Sequence, residues 1–404
     1  MEKTVCELFA GVGGFRLGLE DTGDDWRTVW FSQWEPSRKS QWAHQCYVSH
    51  WGDIDENTGK DIALVDKTLI PNHNLLVGGF PCQDYSVARP LSGSNGLEGK
   101  KGVLWWQIRE VLQTKNPSFV LLENVDRLLK SPSTQRGRDF GVMLACLNAE
   151  GYSVEWRVIN AAEYGAGQRR RRIFIYAYKN TTQYGVSKTE TDPKDVILKE
   201  GFFANVFPCV SAENIVETEF GNRDIVDVSE GFKFGFENAG FMRNGSIYTV
   251  KVTPVMEKPV TLGELLEHNV DESYYITKNE EKWAYLKGSK KIQRTSKTGH
   301  VYTFSEGAIA YPDNLDVPAR TMLTSESSLN RSTHVIRDPE TNRLRTLTPV
   351  EAERIQGFRD NWTNTGMPEK FRFFCMGNAL VVPMITRMGR RLGAIMDAEP
   401  EPER

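Results

Sequence analysis

The apolar run Leu75-Leu76-Val77-Gly78-Gly79-Phe80 stops at Pro81-Cys82-Gln83. A strand ending in a glycine- and proline-fixed turn delivers a sulfur to the carboxyl edge of a sheet, where open α/β folds hold their ligands. A thiolate there is a strong nucleophile once its pKa is lowered or a base assists it. Three other clusters carry chemistry. Glu7-Leu8-Phe9-Ala10-Gly11-Val12-Gly13-Gly14 closes one strand and opens a helix, and its glycines allow a ligand to approach the backbone. Its Gly-x-Gly-Gly spacing departs from the dinucleotide pattern. Glu123-Asn124-Val125 follows another apolar run, so a partly buried carboxylate with a raised pKa could hold or donate a proton there; capping the next helix is the other reading of that acid. Gln168 leads into four arginines, Arg169 to Arg172. On a strand Arg170 and Arg172 share one face and Arg169 and Arg171 the other, so one pair can reach the active edge. Gln33-Trp34-Glu35 and Asp53-Ile54 add an aromatic ring and acids suited to a nucleoside.

Positioning these groups requires strands alternating with helices. Residues 1–178 read that way: strands at 4–9, 30–31, 75–77, 118–122, 154–159 and 173–177, and helices at 12–19, 37–48, 103–112 and 140–147. The pattern predicts an α/β fold with a mostly parallel sheet, Rossmann-like and covered by helices on both faces. Composition shifts after Tyr178, and residues 180–342 read as a smaller, irregular β-rich domain. A capping box at Thr348-Pro349-Val350-Glu351 starts a helix, and a stripe of Leu380, Met384, Met388, Leu392 and Ile395 marks a last one. The expected division is 1–179, 180–342, 343–375 as a hinge segment, and 376–404 returning to the first domain. The 404 residues carry a net charge of −3, with 39% hydrophobic and 25% charged residues, as in ordinary soluble proteins. Six scattered cysteines show no metal-ligand spacing, so no metal is expected, and they fit a reducing compartment. No signal-peptide pattern or membrane-span-length apolar run is present. A cytoplasmic, nucleoid-associated location is expected.

In this order the motifs resemble those of the DNA cytosine-5 methyltransferases of restriction-modification systems. The match covers Phe9-Ala10-Gly11-Val12-Gly13-Gly14, Gly79-Phe80-Pro81-Cys82-Gln83, Glu123-Asn124-Val125, Gln168 to Arg172, Leu347 to Glu351 and Gly377-Asn378-Ala379. The resemblance implies methyl transfer from S-adenosylmethionine, leaving S-adenosylhomocysteine, to carbon 5 of a cytosine flipped out of double-stranded DNA. It makes Cys82 the covalent nucleophile at carbon 6, Glu123 the partner of ring nitrogen 3, and Arg172, with Arg170 beside it, the partner of the base carbonyl. Cofactor positions carried over are Phe9, Gly11, Val12, Gly14, Trp34, Asp53, Ile54, Pro81, Leu104 and Asn378. Where the family usually has a ribose-binding glutamate this chain has Gln33, with Glu35 two residues on, so either is a candidate. Gln83, Ser86 and the glycine-rich loop after them would close over DNA. Sequence reading is expected in the basic stretch at Lys290, Lys291, Arg294 and Lys297, with Arg320 and Arg331 as later contacts. Other readings are a tRNA cytosine-5 methyltransferase on the same core, a catalytically silent DNA-binding relative, and a dinucleotide-dependent oxidoreductase. A monomer and a cognate restriction endonuclease are the expected state and partner.

Overall fold

A computed structural model of the chain describes residues 1–36, 38–80, 103–296 and 299–402. Among them, strands β1 (Thr4–Leu8), β2 (Arg27–Ser32), β3 (Leu75–Gly79), β4 (Phe119–Val125), β5 (Tyr152–Asn160) and β6 (Arg171–Lys179) alternate with helices α1 (Gly14–Glu20), α2 (Trp42–Trp51), α3 (Val103–Lys115) and α4 (Arg138–Ala149). Four short helices follow, α5 (Gln183–Ser187), α6 (Pro193–Asp195), α7 (Phe202–Val206) and α8 (Ile225–Gly231). Interleaved with them and beyond are strands β7 (Cys209–Val210), β8 (Val216–Glu219), β9 (Ala239–Arg243), β10 (Ser246–Val250) and β11 (Thr253–Pro254).

The main sheet has nine strands in the order β2-β1-β3-β4-β6-β5-β9-β10-β8. Strands β2, β1, β3 and β4 pair in parallel, and every pairing from β4 to β8 is antiparallel. Strands β1 to β5 and β10 therefore run one way, and β6, β8 and β9 the other. Alternation sorts the side chains by face. Val77, Phe119 and Leu121 join Phe15, Leu17 and Leu19 of α1 in one core cluster. Leu76, Val120 and Leu122 join Ile108, Val111 and Leu112 of α3 and Phe140, Met143 and Leu144 of α4 in the other. Burial on both faces explains why these strands read as unbroken apolar runs.

The boundary placed at residue 180 is corrected by this sheet. β9 pairs with β5 and carries β10 and β8 with it, so residues up to Val250 complete the main sheet. Their inward side chains, Phe220, Phe236, Met242 and Ile247, are buried among α4 residues. The region looked irregular because its strands are short and separated by polar turns. The helix expected from Ser37 begins instead at Trp42, because Gln41 folds its amide back onto Glu35 N–H and C=O and holds the preceding residues as a turn.

A smaller lobe follows. It holds α9 (Glu280–Lys287), the two-stranded ribbon β12 (Lys290–Thr295) and β13 (Val301–Glu306), and the pair β14 (Val335–Arg337) and β15 (Leu344–Thr346). Trp283, Val335 and Leu344 form its small core. Then α10 (Pro349–Gln356), α11 (Glu369–Asn378) and α12 (Val382–Ala398) return to the main sheet. The Thr348–Glu351 capping box starts α10 as the sequence indicates, and a left-handed Gly357 ends it. The α12 stripe of Met384, Met388, Leu392 and Ile395 is buried in the cluster of α1.

Candidate active site and cofactor cleft

Parallel strands β1, β3 and β4 end at one edge, and the chemistry-bearing residues gather there. At the end of β1 the chain turns with Phe9 and Gly11 at φ 56° and 58°. Positive φ at a non-glycine residue costs energy and marks a backbone held for a purpose. Gly11 N–H donates to Gln33 Oε1 at 2.7 Å, which ties the first turn to the end of β2. Gly14 is buried at the start of α1, Val12 is buried in the core cluster beside it, and Phe9 packs partly buried on the opposite cluster. Trp34 and Ile54 are exposed although apolar. Asp53 Oδ1 accepts from Thr58 Oγ1 at 2.5 Å and from Ile54 N–H at 2.9 Å. Leu104 is partly buried at the start of α3, and Asn378 lies exposed at the end of α11.

The two ribose candidates behave differently. Glu35 Oε2 accepts from Ala43 N–H at 3.3 Å in the first turn of α2, and burial pushes its carboxyl upward. It caps that helix. Gln33 has its oxygen on Gly11, while no acceptor takes its amide nitrogen among the described residues.

Glu123 and Asn124 lie inside β4 rather than after it. Asn124 Nδ2 donates to Phe80 C=O at 2.9 Å and so anchors the chain immediately before Pro81. Glu123 Oε1 lies 2.7 Å from Arg172 Nε, and a Cβ on Gly79 would stand 3.2 Å from Glu123 Oε2. Burial pushes the Glu123 carboxyl up, opposed by the charges of Arg172 and Arg170. The site thus sets a buried carboxyl group against a guanidinium whose second group, Nη1, donates to Arg171 C=O at 2.8 Å. Pro81, Cys82, Gln83 and Ser86 lie outside the described residues.

The arginine run alternates as expected: Arg169 and Arg171 are exposed, Arg170 is buried and Arg172 half-buried. Arg170 departs from the role given to it beside the base. It donates to Met322 C=O at 3.1 Å and to Gly377 C=O at 3.0 Å. Burial, with Arg172 nearby, pulls its pKa down to about 9 against the pull of Glu123. It is a brace beneath Arg172. The smaller lobe meets the site here. Arg169 N–H donates to Ala319 C=O and Ala319 N–H to Gly167 C=O, each at 2.8 Å. A Cβ on Gly377 would sit 2.3 Å from Thr324 N, so only glycine permits this approach.

Among the described residues expected to touch DNA, three have internal polar partners. Arg320 Nε and Nη2 hold Asp313 at 2.5 and 3.0 Å. Arg331 donates to Leu286 C=O at 3.0 Å and pairs with Glu306 at 3.3 Å. Lys290 faces Glu306 at 3.9 Å and lies 4.5 Å over the Tyr285 ring. Lys291 and Arg294 are exposed, and Arg294 Cζ stacks 3.7 Å over the Phe304 ring. Lys297 lies outside the described residues. Sequence reasoning missed Thr58 and His44, which support Asp53, and Arg170's bracing role. A lone threonine or histidine leaves no pattern in a sequence.

The sheet, the glycine turn and the acid–arginine pair define a class of methyl-transferring α/β enzyme. The chain belongs to the C-5 cytosine-specific DNA methylases, whose family model matches residues 3–394. It is 54% identical to the type II methyltransferase M.Sau3AI of Staphylococcus aureus over 97% of this chain and 95% of that protein. It is 27% identical to M.NlaX of Neisseria lactamica over 98% and 97%. Among solved structures it is similar to the S. pombe Dnmt2 methyltransferase, with a TM-score of 0.59 at 15% identity over 98% and 99% of the chains. No helix among the described residues is long and apolar enough to cross a membrane.

Proposed function

We propose that this chain methylates carbon 5 of a cytosine in a specific duplex DNA sequence, using S-adenosylmethionine and a covalent Cys82 adduct. The observation that carries the reading is the Glu123–Arg172 pair at 2.7 Å, set at the sheet edge beside the strand that leads to Cys82. Carbon 5 of cytosine is a weak nucleophile. The Cys82 thiolate adds to carbon 6, and the displaced ring electrons make carbon 5 enamine-like. Glu123 faces ring nitrogen 3 and hydrogen-bonds there, its carboxyl pushed up by burial and pulled down by Arg172 and Arg170. Arg172 binds the base carbonyl and stabilises the charge that develops. After methyl transfer a base removes the carbon-5 proton and the thiolate leaves.

The donor set fits S-adenosylmethionine: a glycine turn with open space beside Gly11, an exposed Trp34 ring and a carboxylate at Asp53. Bound there, the cofactor supplies an electrophilic methyl group on a sulfonium. Phe9, Gly11, Val12 and Gly14 would hold it at the glycine turn, Asp53 would take the adenine amino group, and Trp34, Ile54, Leu104 and Asn378 would complete the set, with Pro81, which lies outside the described residues, assigned by the family resemblance. Gln33 donates its amide N–H to the ribose.

Duplex DNA is read by the β12–β13 ribbon, whose width suits a major groove. Lys291 meets phosphate, and Arg294, stacked on Phe304 and with no hydrogen bond from its fork among the described residues, reads guanine. Arg320 and Arg331 shape the lobe instead. The protein acts as a monomer in the cytoplasm, alongside a restriction endonuclease of the same specificity. Expression in a methylation-free host followed by bisulfite sequencing tests both levels. The expected result is 5-methylcytosine at one sequence, lost in Glu123→Gln, with relaxed preference in Arg294→Ala at a cost of about 1–3 kcal/mol on the cognate site. No methylated cytosine in the wild type refutes the activity; an unchanged preference in Arg294→Ala refutes the reader.

A further inference from the structure

Thr58 is fully buried in the loop between α2 and β3, and it touches two cofactor residues at once. Its carbonyl accepts from Gln33 N–H at 2.9 Å, which fixes the chain just beyond β2. Its hydroxyl lies 2.5 Å from Asp53 Oδ1 and 3.0 Å from His44 Nε2. A hydroxyl has one proton to give and an ionised carboxylate can only accept. Thr58 therefore donates to Asp53. The Asp55 carbonyl, 3.1 Å from the same oxygen, is the farther and uncharged competitor. His44 must then donate to Thr58, which selects its Nε2–H form. The imidazole is held for this by stacking on Phe31, with ring centroids 5.5 Å apart.

The carboxylate of Asp53 is thereby fixed in rotation. Oδ1 accepts from Thr58 and from Ile54 N–H. Oδ2 has no hydrogen bond among the described residues, since His44 Nε2 is 3.9 Å away. We infer that Thr58, itself oriented by His44, is a positioning residue that aims Asp53 Oδ2 at the exocyclic amino group of the cofactor's adenine. The pair so sets a preference for a 6-amino over a 6-oxo purine. The inference rests on the reading above that Asp53 binds adenine. A threonine that merely closed the loop would affect every ligand alike.

The test is calorimetric binding of S-adenosylhomocysteine and S-inosylhomocysteine to the full chain, which needs no turnover. The wild type is expected to favour the adenosyl ligand by about tenfold or more, the scale of one hydrogen bond to a charged group. Thr58→Val is expected to weaken the adenosyl ligand about tenfold and the inosyl ligand little, so the ratio collapses, while Thr58→Ser keeps it. His44→Phe, which preserves the stacking and removes the donor, is expected to lower the ratio in the same direction, and it decides the matter if Thr58→Val does not fold. Equal weakening of both ligands in Thr58→Val, or an unchanged ratio in a folded Thr58→Val or in His44→Phe, overturns the positioning role. A wild type that does not distinguish the two ligands overturns the Asp53 reading itself, and the inference with it.

Discussion

Gln33 and Glu35 stand two residues apart and do different work. Gln33 holds the glycine turn through Gly11 N–H, and Glu35 holds the start of α2 through Ala43 N–H. Substitution should separate them. Gln33→Ala is expected to weaken S-adenosylhomocysteine binding by about 0.5–1.5 kcal/mol, the range for a neutral hydrogen bond, with little change in Tm. Glu35→Ala is expected to lower stability by about 0.5–2 kcal/mol through the lost cap and to leave binding by the folded protein nearly intact. Calorimetry paired with thermal unfolding gives both quantities, and the opposite pattern would assign the ribose to Glu35. The identity of these two residues was legible in the sequence. Their roles were not, because an acid three residues past a strand is equally placed to cap a helix or to meet a ligand.

At the scale of elements, β1, α1 and α2 meet around a buried acid. Glu7 Oε2 accepts from Tyr47 Oη at 3.0 Å, while Oε1 is buried with no partner among the described residues. Burial pushes this carboxyl up to about 8, against the pull of Tyr47 and Arg16. Its folded pKa thus lies above the unfolded value of about 4.3. Between those values the native state binds the extra proton, so stability from this group is full at low pH and falls as pH rises toward about 8. Glu7→Gln is expected to flatten that slope. Denaturant unfolding at pH 5 and pH 8 measures it, and an equal slope in both proteins would mean that Glu7 is charged in the folded state. The elements themselves were largely readable: β3 and β4 as unbroken apolar runs, α10 from its capping box, α12 from its stripe. The strands β8 to β10 were not, since each is four or five residues long and their partner strand β5 is distant in sequence.

Across the whole molecule, the catalytic sheet and the smaller lobe are joined through Arg170 and Gly377. Arg170 satisfies the Met322 and Gly377 carbonyls from a buried position. Arg170→Met would leave both acceptors unpaired, at about 1–3 kcal/mol each. The expected result is a lower Tm together with weakened DNA binding, with S-adenosylhomocysteine affinity nearly unchanged. Loss of cofactor affinity equal to the loss for DNA would contradict a brace between lobes. Alternation along the arginine run showed that one pair turns inward, but only the fold reveals that one of the two bonds backbone carbonyls of other segments.

We propose covalent catalysis by Cys82, with Glu123 and Arg172 around the base. Duplex DNA carrying 5-fluorocytosine at the target tests it most directly, because after methyl transfer carbon 5 has no removable proton and the adduct cannot resolve. With S-adenosylmethionine present, the wild-type chain is expected to form a denaturant-resistant complex. Its intact mass should equal the protein plus one DNA strand plus a methyl group, and Cys82→Ser should form none. A Cys82→Ser protein that is trapped as well as the wild type, or that methylates ordinary duplex at near-normal rate, would contradict the account.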